Sequence, residues 1–101
     1  MHLVQFLLPV RTGGTRIPES RFAVVRRELT DRFGGVTAYM RAPASGLWKN
    51  DGGKVDADEV VMVETIVSEL DREWWRTYRR TLEAAFEQQE ILVRALPIEM
   101  L

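Results

Sequence analysis

A glutamate in the middle of an otherwise apolar stretch is the first residue of this sequence that could do chemistry. Glu64 lies within residues 59–68, the run richest in β-branched side chains, and the alternation there predicts a β-strand. A carboxylate placed among apolar side chains is costly unless a cation or a hydrogen-bond donor compensates it. We therefore expect Glu64 to have a partner, with Arg41 or Arg94 on neighbouring predicted strands as the candidates.

Two interpretations of this glutamate remain open. In the structural one, an ion pair between Glu64 and an arginine fixes the register of a sheet or of a dimer. In the functional one, Arg41 or Arg94 holds an anionic group in a small pocket, while Glu64 or Tyr39 transfers a proton. Trp48, beside a predicted hairpin, is typical of a packing or interface anchor and less so of a ligand-stacking residue. The candidate ligand-binding residues are Gln5, Tyr39, Arg41, Trp48, Glu64 and Arg94.

The composition removes several classes of chemistry. The sequence contains no cysteine, which excludes disulfides, cysteine-ligated zinc, iron–sulfur clusters and thiol nucleophiles. A single histidine, His2, excludes a multi-histidine metal site within one chain. The acidic residues Asp56, Asp58 and Glu59 offer fewer oxygen ligands than a hard-cation loop needs, and we interpret them as a solvated strand entry. We accordingly expect no metal and no cofactor.

The charge distribution and the hydropathy of the chain indicate which classes of partner it would bind. Residues 1–54 carry nine Lys or Arg against four Asp or Glu, and residues 55–101 carry five against eleven, so the halves are +5 and −6. The basic residues are dispersed and the whole chain is at −1, which argues against nucleic acid as a partner. Apolar runs are far shorter than the roughly 20 residues of a membrane helix. We expect a cytoplasmic protein that binds neither nucleic acid nor membrane.

Six elements are predicted in one domain that covers residues 1–101. Strands with period-two alternation are expected at 2–10, 36–42, 59–68 and 90–98. Helical spacing is expected from Pro18, at the first helical position, to Phe33, and after Asp71 as the N-cap. Residues 11–16 are expected to form a loop, and Asn50 to Gly53 is a strong hairpin-turn signal. The order βαββαβ predicts an α+β, ferredoxin-like fold, a four-stranded antiparallel sheet with two helices on one face. Right-handed connections then give the spatial strand order fourth, first, third, second.

The two faces of this sheet differ in what covers them. The helices would cover one apolar face, including Val4, Phe6, Leu8 and the other alternate strand residues. The residues predicted for the buried sides of the helices are Phe22, Val25, Leu29 and Phe33 in the first and Trp75, Tyr78, Leu82, Ala85, Phe86 and Gln89 in the second. The opposite face is still too apolar to be left in water as one contiguous patch. We therefore expect a homodimer, or a higher even oligomer, that pairs sheet to sheet. The predicted residues of this second face are Leu3, Gln5, Leu7, Thr37, Tyr39, Arg41, Val60, Met62, Glu64, Ile66, Leu92, Arg94 and Leu96.

Several segments resemble a bacterial ferredoxin-like domain family of unassigned function. The resemblance rests on the stretch Arg32-Phe33-Gly34-Gly35-Val36-Thr37, on Gly46-Leu47-Trp48 and on the ending from Tyr78 through Phe86 and Gln88 to Val93. It implies the same fold and transfers no catalytic residues. More distantly, the architecture is similar to the dimeric α+β barrels, which include cofactor-free monooxygenases, isomerases and binding proteins.

Three functions are compatible with these observations. The first is a homodimeric domain for association or small-molecule binding, with an anionic or aromatic ligand between the sheets near Tyr39, Arg41, Glu64 and Arg94. The second is a cofactor-independent enzyme, monooxygenase-like or isomerase-like, that uses Glu64 or Tyr39 for proton transfer on a small organic substrate. The third is a regulatory or scaffold protein with an apolar surface near Trp48 and Trp74.

Overall fold

The computed structural model describes residues 1–39, 44–49 and 55–101, with side chains described outside 40–58. Two helices and a mixed set of long and short strands form one α+β unit. The elements in chain order are β1 (His2–Pro9), β2 (Arg11–Thr12), β3 (Thr15–Arg16), α1 (Glu19–Phe33), β4 (Thr37–Ala38), β5 (Ala44–Lys49), β6 (Val55–Val67), α2 (Arg72–Ala85) and β7 (Val93–Pro97).

The main sheet has the strand order β4-β6-β1-β7, with β5 paired to the first half of β6. All of its pairings are antiparallel. The two central strands, β1 and β6, pair over the whole length of β1, from His2 opposite Val67 to Pro9 opposite Val60. This confirms the predicted ferredoxin-like fold and its strand order.

Strand β6 is longer than the prediction of 59–68, because it begins at Val55 and pairs with β5 before it pairs with β1 and β4. The predicted turn at residues 50–53 lies outside the described residues, and β5 and β6 flank it as the two arms of a hairpin. Within the predicted strand 36–42, the structure describes β4 at Thr37–Ala38. Residues 40–43 do not belong to the described part of the chain.

Other boundaries also differ from the predictions. Residues 11–16, expected as a loop, form the short hairpin β2–β3, whose turn uses the positive φ angles of Gly13 and Gly14. The last strand is shorter than 90–98, because residues 87–92 form an irregular connection after α2. Pro18 precedes α1 as its N-cap residue instead of occupying the first helical position. The prolyl ring suits either position because the first amide of a helix has no intrahelical acceptor.

The helix ends follow the expected local chemistry. Helix α1 stops at Gly34, which has φ +85° and donates its amide to the Thr30 carbonyl. Asp71 caps α2 as predicted, since its Oδ1 accepts the Trp74 amide at 3.1 Å. Within the described residues, neither helix combines the length and the apolar character that crossing a bilayer would require.

The core lies between the helices and one face of the sheet. Phe6 is 1% exposed, and its ring centroid lies 6.3 Å from that of Trp75 and 6.4 Å from that of Tyr78. Thr65 is the buried polar member, and its hydroxyl donates to the Gly35 carbonyl at 2.6 Å. The predicted core members that are buried include Val4, Phe6, Leu8, Phe22, Val25, Leu29, Val61, Val63, Trp75, Tyr78, Leu82, Phe86 and Ile91.

The prediction that Ala85 and Gln89 lie on the buried side of α2 is wrong. Both residues are exposed. Helix α2 ends at Ala85, so the 3.6-residue spacing that would have carried the buried stripe to Gln89 no longer applies. Val60, predicted for the uncovered face, is nevertheless only 7% exposed, and it shares a cleft with residues 87–92.

Candidate functional site

The sheet face opposite the helices, called here the open face, is built in rows across β6, β1 and β7. One apolar row contains Ile66, Leu3 and Leu96, which are directly opposite one another in the sheet register. A second apolar row contains Met62 and Leu7, with Leu92 beside them through the hydrogen bond from the Leu7 amide to the Leu92 carbonyl. A row of polar residues lies between these two apolar rows.

The polar row joins four side chains by hydrogen bonds. Glu64 on β6 accepts the Tyr39 hydroxyl on Oε1 at 2.8 Å and the Gln5 amide nitrogen on Oε2 at 2.8 Å. The Gln5 side-chain oxygen in turn accepts the Nε–H of Arg94 at 3.0 Å. Gln5 and Glu64 are half-buried, whereas Tyr39 and Arg94 are exposed. The strand register therefore brings together four of the six residues that the sequence predicts as ligand-binding.

Arg94 is not the direct partner of Glu64, contrary to one of the two candidates that the sequence suggests. Gln5 is opposite Glu64 on one side and opposite Arg94 on the other, so the glutamine separates the carboxylate from the guanidinium. Both direct hydrogen-bond donors to Glu64 are neutral, and no salt bridge among the described side chains includes this residue. Hydrogen bonds therefore compensate the carboxylate, and among the described side chains no cation contacts it directly.

Tyr39 is held as a neutral hydrogen-bond donor. Its hydroxyl donates to Glu64, and this hydrogen bond together with the nearby negative charge raises the pKa of the phenol above its ordinary value of 10.0. A phenol whose pKa is raised stays protonated near neutral pH and does not act as a base, so Tyr39 can orient a ligand, while the carboxylate of Glu64 is the group of the pair that can accept a proton.

Other sequence candidates are not placed at this site. Arg41 and the side chain of Trp48 lie outside the described residues, as do the side chains of Asp56 and Asp58. Among the side chains that the structure does describe, no group of three or more histidine or carboxylate ligands is close enough to hold a metal ion.

A cleft of about 540 Å³ continues the open face beyond Leu7. Its apolar floor contains Leu7, Pro9 and Val60, and residues 87–92 form its rim. Glu87 has φ +52°, a conformation that costs a non-glycine residue energy and that often marks functional positions. The volume is within the range of small-molecule sites, roughly 300–1,000 Å³.

Contacts from three elements fix the rim of this cleft. The Glu87 carbonyl accepts the Thr12 hydroxyl at 3.5 Å, and the Glu87 carboxylate lies 3.7 Å from the Arg21 guanidinium. Further along, the Ile91 amide donates to Glu83 Oε2 at 3.0 Å. The irregular backbone at the rim is therefore tied to β2, α1 and α2, and this positions the amide side chain of Gln88 at the cleft.

Sequence reasoning missed this cleft because it assigned Gln89 to the helix and residue 90 onward to a strand. The available signal was the polar run Gln88-Gln89-Glu90 between two apolar segments, which is typical of a connection. The positive φ of Glu87 had no sequence signal, since glutamate is not a residue that favours this region.

The fold and the polar row define the class of protein: a ferredoxin-like α+β domain with a carboxylate and a phenol on its open sheet face. No protein-family model matches the sequence. No curated protein matches it either.

Solved structures of phage SAM lyase share the fold. One, determined in the apo state, is 14% identical and superposes with a TM-score of 0.62 over 94% of this chain and 78% of that chain. Another, in complex with S-methyl-5'-thioadenosine, is 12% identical and has a TM-score of 0.67 over 94% of this chain and 79% of that chain. At these identities, the likeness shows a common fold.

Proposed function

We propose that this chain binds a small molecule on its open face, that the ligand is S-adenosylmethionine or a closely related sulfonium nucleoside, and that the chain cleaves it as a cofactor-independent lyase. The sequence leads us to expect a monooxygenase-like or isomerase-like reaction for a cofactor-independent enzyme, whereas the structural neighbours support a lyase reaction. The ligand would occupy the cleft beside Leu7 and extend over the polar row.

The observation that carries this proposal is the half-buried Glu64 carboxylate, which no described cation contacts. This carboxylate accepts hydrogen bonds from two neutral groups, Gln5 and Tyr39, and apolar rows flank it on both sides. A partly buried anion with apolar neighbours favours a cationic ligand that is itself largely apolar. A sulfonium centre, whose positive charge is surrounded by carbon substituents, has this character.

The chemistry also suits a site without a metal. When one carbon–sulfur bond of a sulfonium ion breaks, the bonding electron pair returns to sulfur and gives a neutral thioether. The leaving group therefore needs no activation by a metal or by an acid. The departing carbon gains a new bond within the ligand itself, either a carbon–carbon double bond formed as a neighbouring proton passes to Glu64 or a carbon–oxygen bond to the ligand's own carboxylate. The residues of the site would bind and orient the sulfonium, and Glu64 would serve where a proton has to be removed.

Titration of the protein with S-adenosylmethionine tests the proposal directly. We expect saturable binding by calorimetry and a product that co-elutes with S-methyl-5'-thioadenosine in reversed-phase chromatography. Adenosine lacks the sulfonium charge and serves as the control ligand, with an expected affinity at least about tenfold weaker. Binding without a product would overturn the lyase activity, and absence of saturable binding would overturn the proposal.

We further propose that a second copy of the chain pairs with the open face through the apolar row of Ile66, Leu3 and Leu96. These residues lie directly opposite one another, and Ile66 and Leu96 are 41% and 42% exposed. A two-fold axis along this row would place each of its residues against its own copy and direct the polar rows of the two chains away from each other. This self-complementary apolar surface supports a homodimer that leaves the polar row and the cleft beside Leu7 accessible to a ligand.

Replacing Ile66 by aspartate should therefore dissociate the dimer. Ile66 is 41% exposed in one chain, and sheet-to-sheet pairing would bury an unpaired carboxylate at this position. We expect light scattering to give a mass of 11.6 kDa for Ile66→Asp and twice that mass for the wild type. Val24→Asp on α1 is the matched control because Val24 is also 41% exposed. A wild-type protein that stays monomeric at its highest soluble concentration would contradict the dimer.

A further inference from the structure

A second cleft, lined largely by arginine, lies between α2 and the edge strand β7. Its volume is about 280 Å³, and its accessible apolar wall contains Leu70, Val93 and Ala95. Arg72, Arg76 and Arg79 of α2 line the cleft beside this wall, and no carboxylate residue lines it. Arg94 of β7 also borders the cleft, but its side chain lies on the open face, where it donates to Gln5.

Few of these positive charges are neutralised. Arg79 has one carboxylate within ion-pair distance, Glu83 at 3.8 Å, and Arg94 uses its Nε–H for the Gln5 side chain. Among the described side chains, neither Arg72 nor Arg76 takes part in a salt bridge. The nearby Asp71 carboxylate is already occupied as the N-cap of α2.

This arrangement is unfavourable for the folded chain alone. Arg72 and Arg76 are four residues apart on α2, where like charges repel each other. Both also lie close to the N-terminal end of the helix, where the helix dipole favours negative charge. An anion in the cleft would reverse both effects at once, because it would sit among several guanidinium groups and near the positive end of the dipole.

We propose that this arginine cleft binds a small organic phosphate, with the phosphate group on the guanidinium groups of α2 and the organic part against Leu70, Val93 and Ala95. Guanidinium forms paired, charge-assisted hydrogen bonds with phosphate oxygens. The apolar wall gives an ester an advantage over the free ion, because inorganic phosphate has no apolar part to bury. This site is separate from the cleft beside Leu7 and does not depend on the proposed lyase function.

Calorimetric titration with phenyl phosphate at constant ionic strength tests the proposal. We expect saturable binding by the wild type, with inorganic phosphate weaker by at least about fivefold. In the double variant Arg72→Gln/Arg76→Gln, the affinity for phenyl phosphate should fall by about tenfold or more. The control double variant Arg27→Gln/Arg80→Gln removes the same total charge from exposed arginines outside the cleft, and it should keep affinity within about twofold.

Three results would overturn the proposal. They are absence of saturable phenyl phosphate binding, equal losses in the two double variants, and equal affinities for phenyl phosphate and inorganic phosphate, the last of which would leave no role for the apolar wall. Thermal melting of both double variants without ligand checks that each variant is still folded. Relief of the repulsion on α2 should leave Arg72→Gln/Arg76→Gln at least as stable as the wild type.

Discussion

Replacing Leu8 by alanine is expected to lower the free energy of unfolding by about 2–5 kcal/mol. Leu8 lies on the central strand β1, is fully buried, and belongs to the core cluster between the sheet and the helices. The substitution removes apolar contacts and leaves a cavity that close-packed neighbours fill only in part. Since small domains are stable by only about 5–15 kcal/mol, the loss should be visible as a large fall in the denaturation midpoint.

Leu96→Ala is the matched control for this prediction. It makes the same chemical change on a strand, but Leu96 is 42% exposed on the open face. At a protein concentration where the chain is monomeric, we expect its effect to stay within about 0.5 kcal/mol. Equal losses for the two variants in urea denaturation of the monomer would contradict the assignment of the core to the helix-covered face.

Glu64→Gln is expected to weaken the binding of S-adenosylmethionine by about tenfold to a hundredfold, because a charge-assisted contact in a partly buried site contributes about 1.5–3 kcal/mol. The substitution preserves the size and a hydrogen-bond acceptor for Tyr39 while removing the negative charge. S-methyl-5'-thioadenosine is neutral at sulfur, so its affinity should change by less than about threefold. Calorimetry with both ligands separates loss of charge from loss of fold.

The same variant has a second readout in the titration of Tyr39. In the wild type, the Glu64 charge disfavours the phenolate and raises the pKa of Tyr39 above 10.0, so the phenol should ionise only at higher pH. Removal of the charge should bring the pKa of Tyr39 down toward its ordinary value. Carbon-detected NMR of the tyrosine ring measures this change.

Glu69→Gln, an exposed position beyond the end of β6, is the control for both measurements and should leave ligand affinity and the Tyr39 titration unchanged. An equal loss of affinity for the cationic and the neutral ligand in Glu64→Gln would contradict an electrostatic role of the carboxylate.

The fold was predictable where periodicity and end signals agree. Alternation in residues 2–10 and 59–68, the cap Asp71 and the stop at Gly34 specify β1, β6 and the helix ends. Predictions failed where a local pattern continued past the point at which tertiary structure ends an element. Gln89 fits the helical spacing of α2, yet the helix ends at Ala85, and the chain must then turn toward β7.

The candidate site was predictable as a set of residues but not as a network. Period-two alternation places Gln5, Glu64 and Arg94 on one face once the apolar residues of each strand pack against the helices. Which of them touch depends on strand pairing, and Gln5, between Glu64 and Arg94, takes the place of a direct ion pair between those two. The arginine cleft was hidden for a related reason, since it depends on how the outer residues of α2 pack beside the edge strand β7.

The polar row has a consequence for how activity depends on folding. Its hydrogen bonds join residues separated by 25, 59 and 89 positions along the chain, so every one of them closes a long loop. Such contacts form late, since loop closure costs entropy before any contact repays it. A folding intermediate that lacks β7 would lack Arg94 and the hydrogen bond that Arg94 donates to Gln5. Substitutions far from the row can therefore disrupt it by preventing its assembly, without changing any of its own side chains.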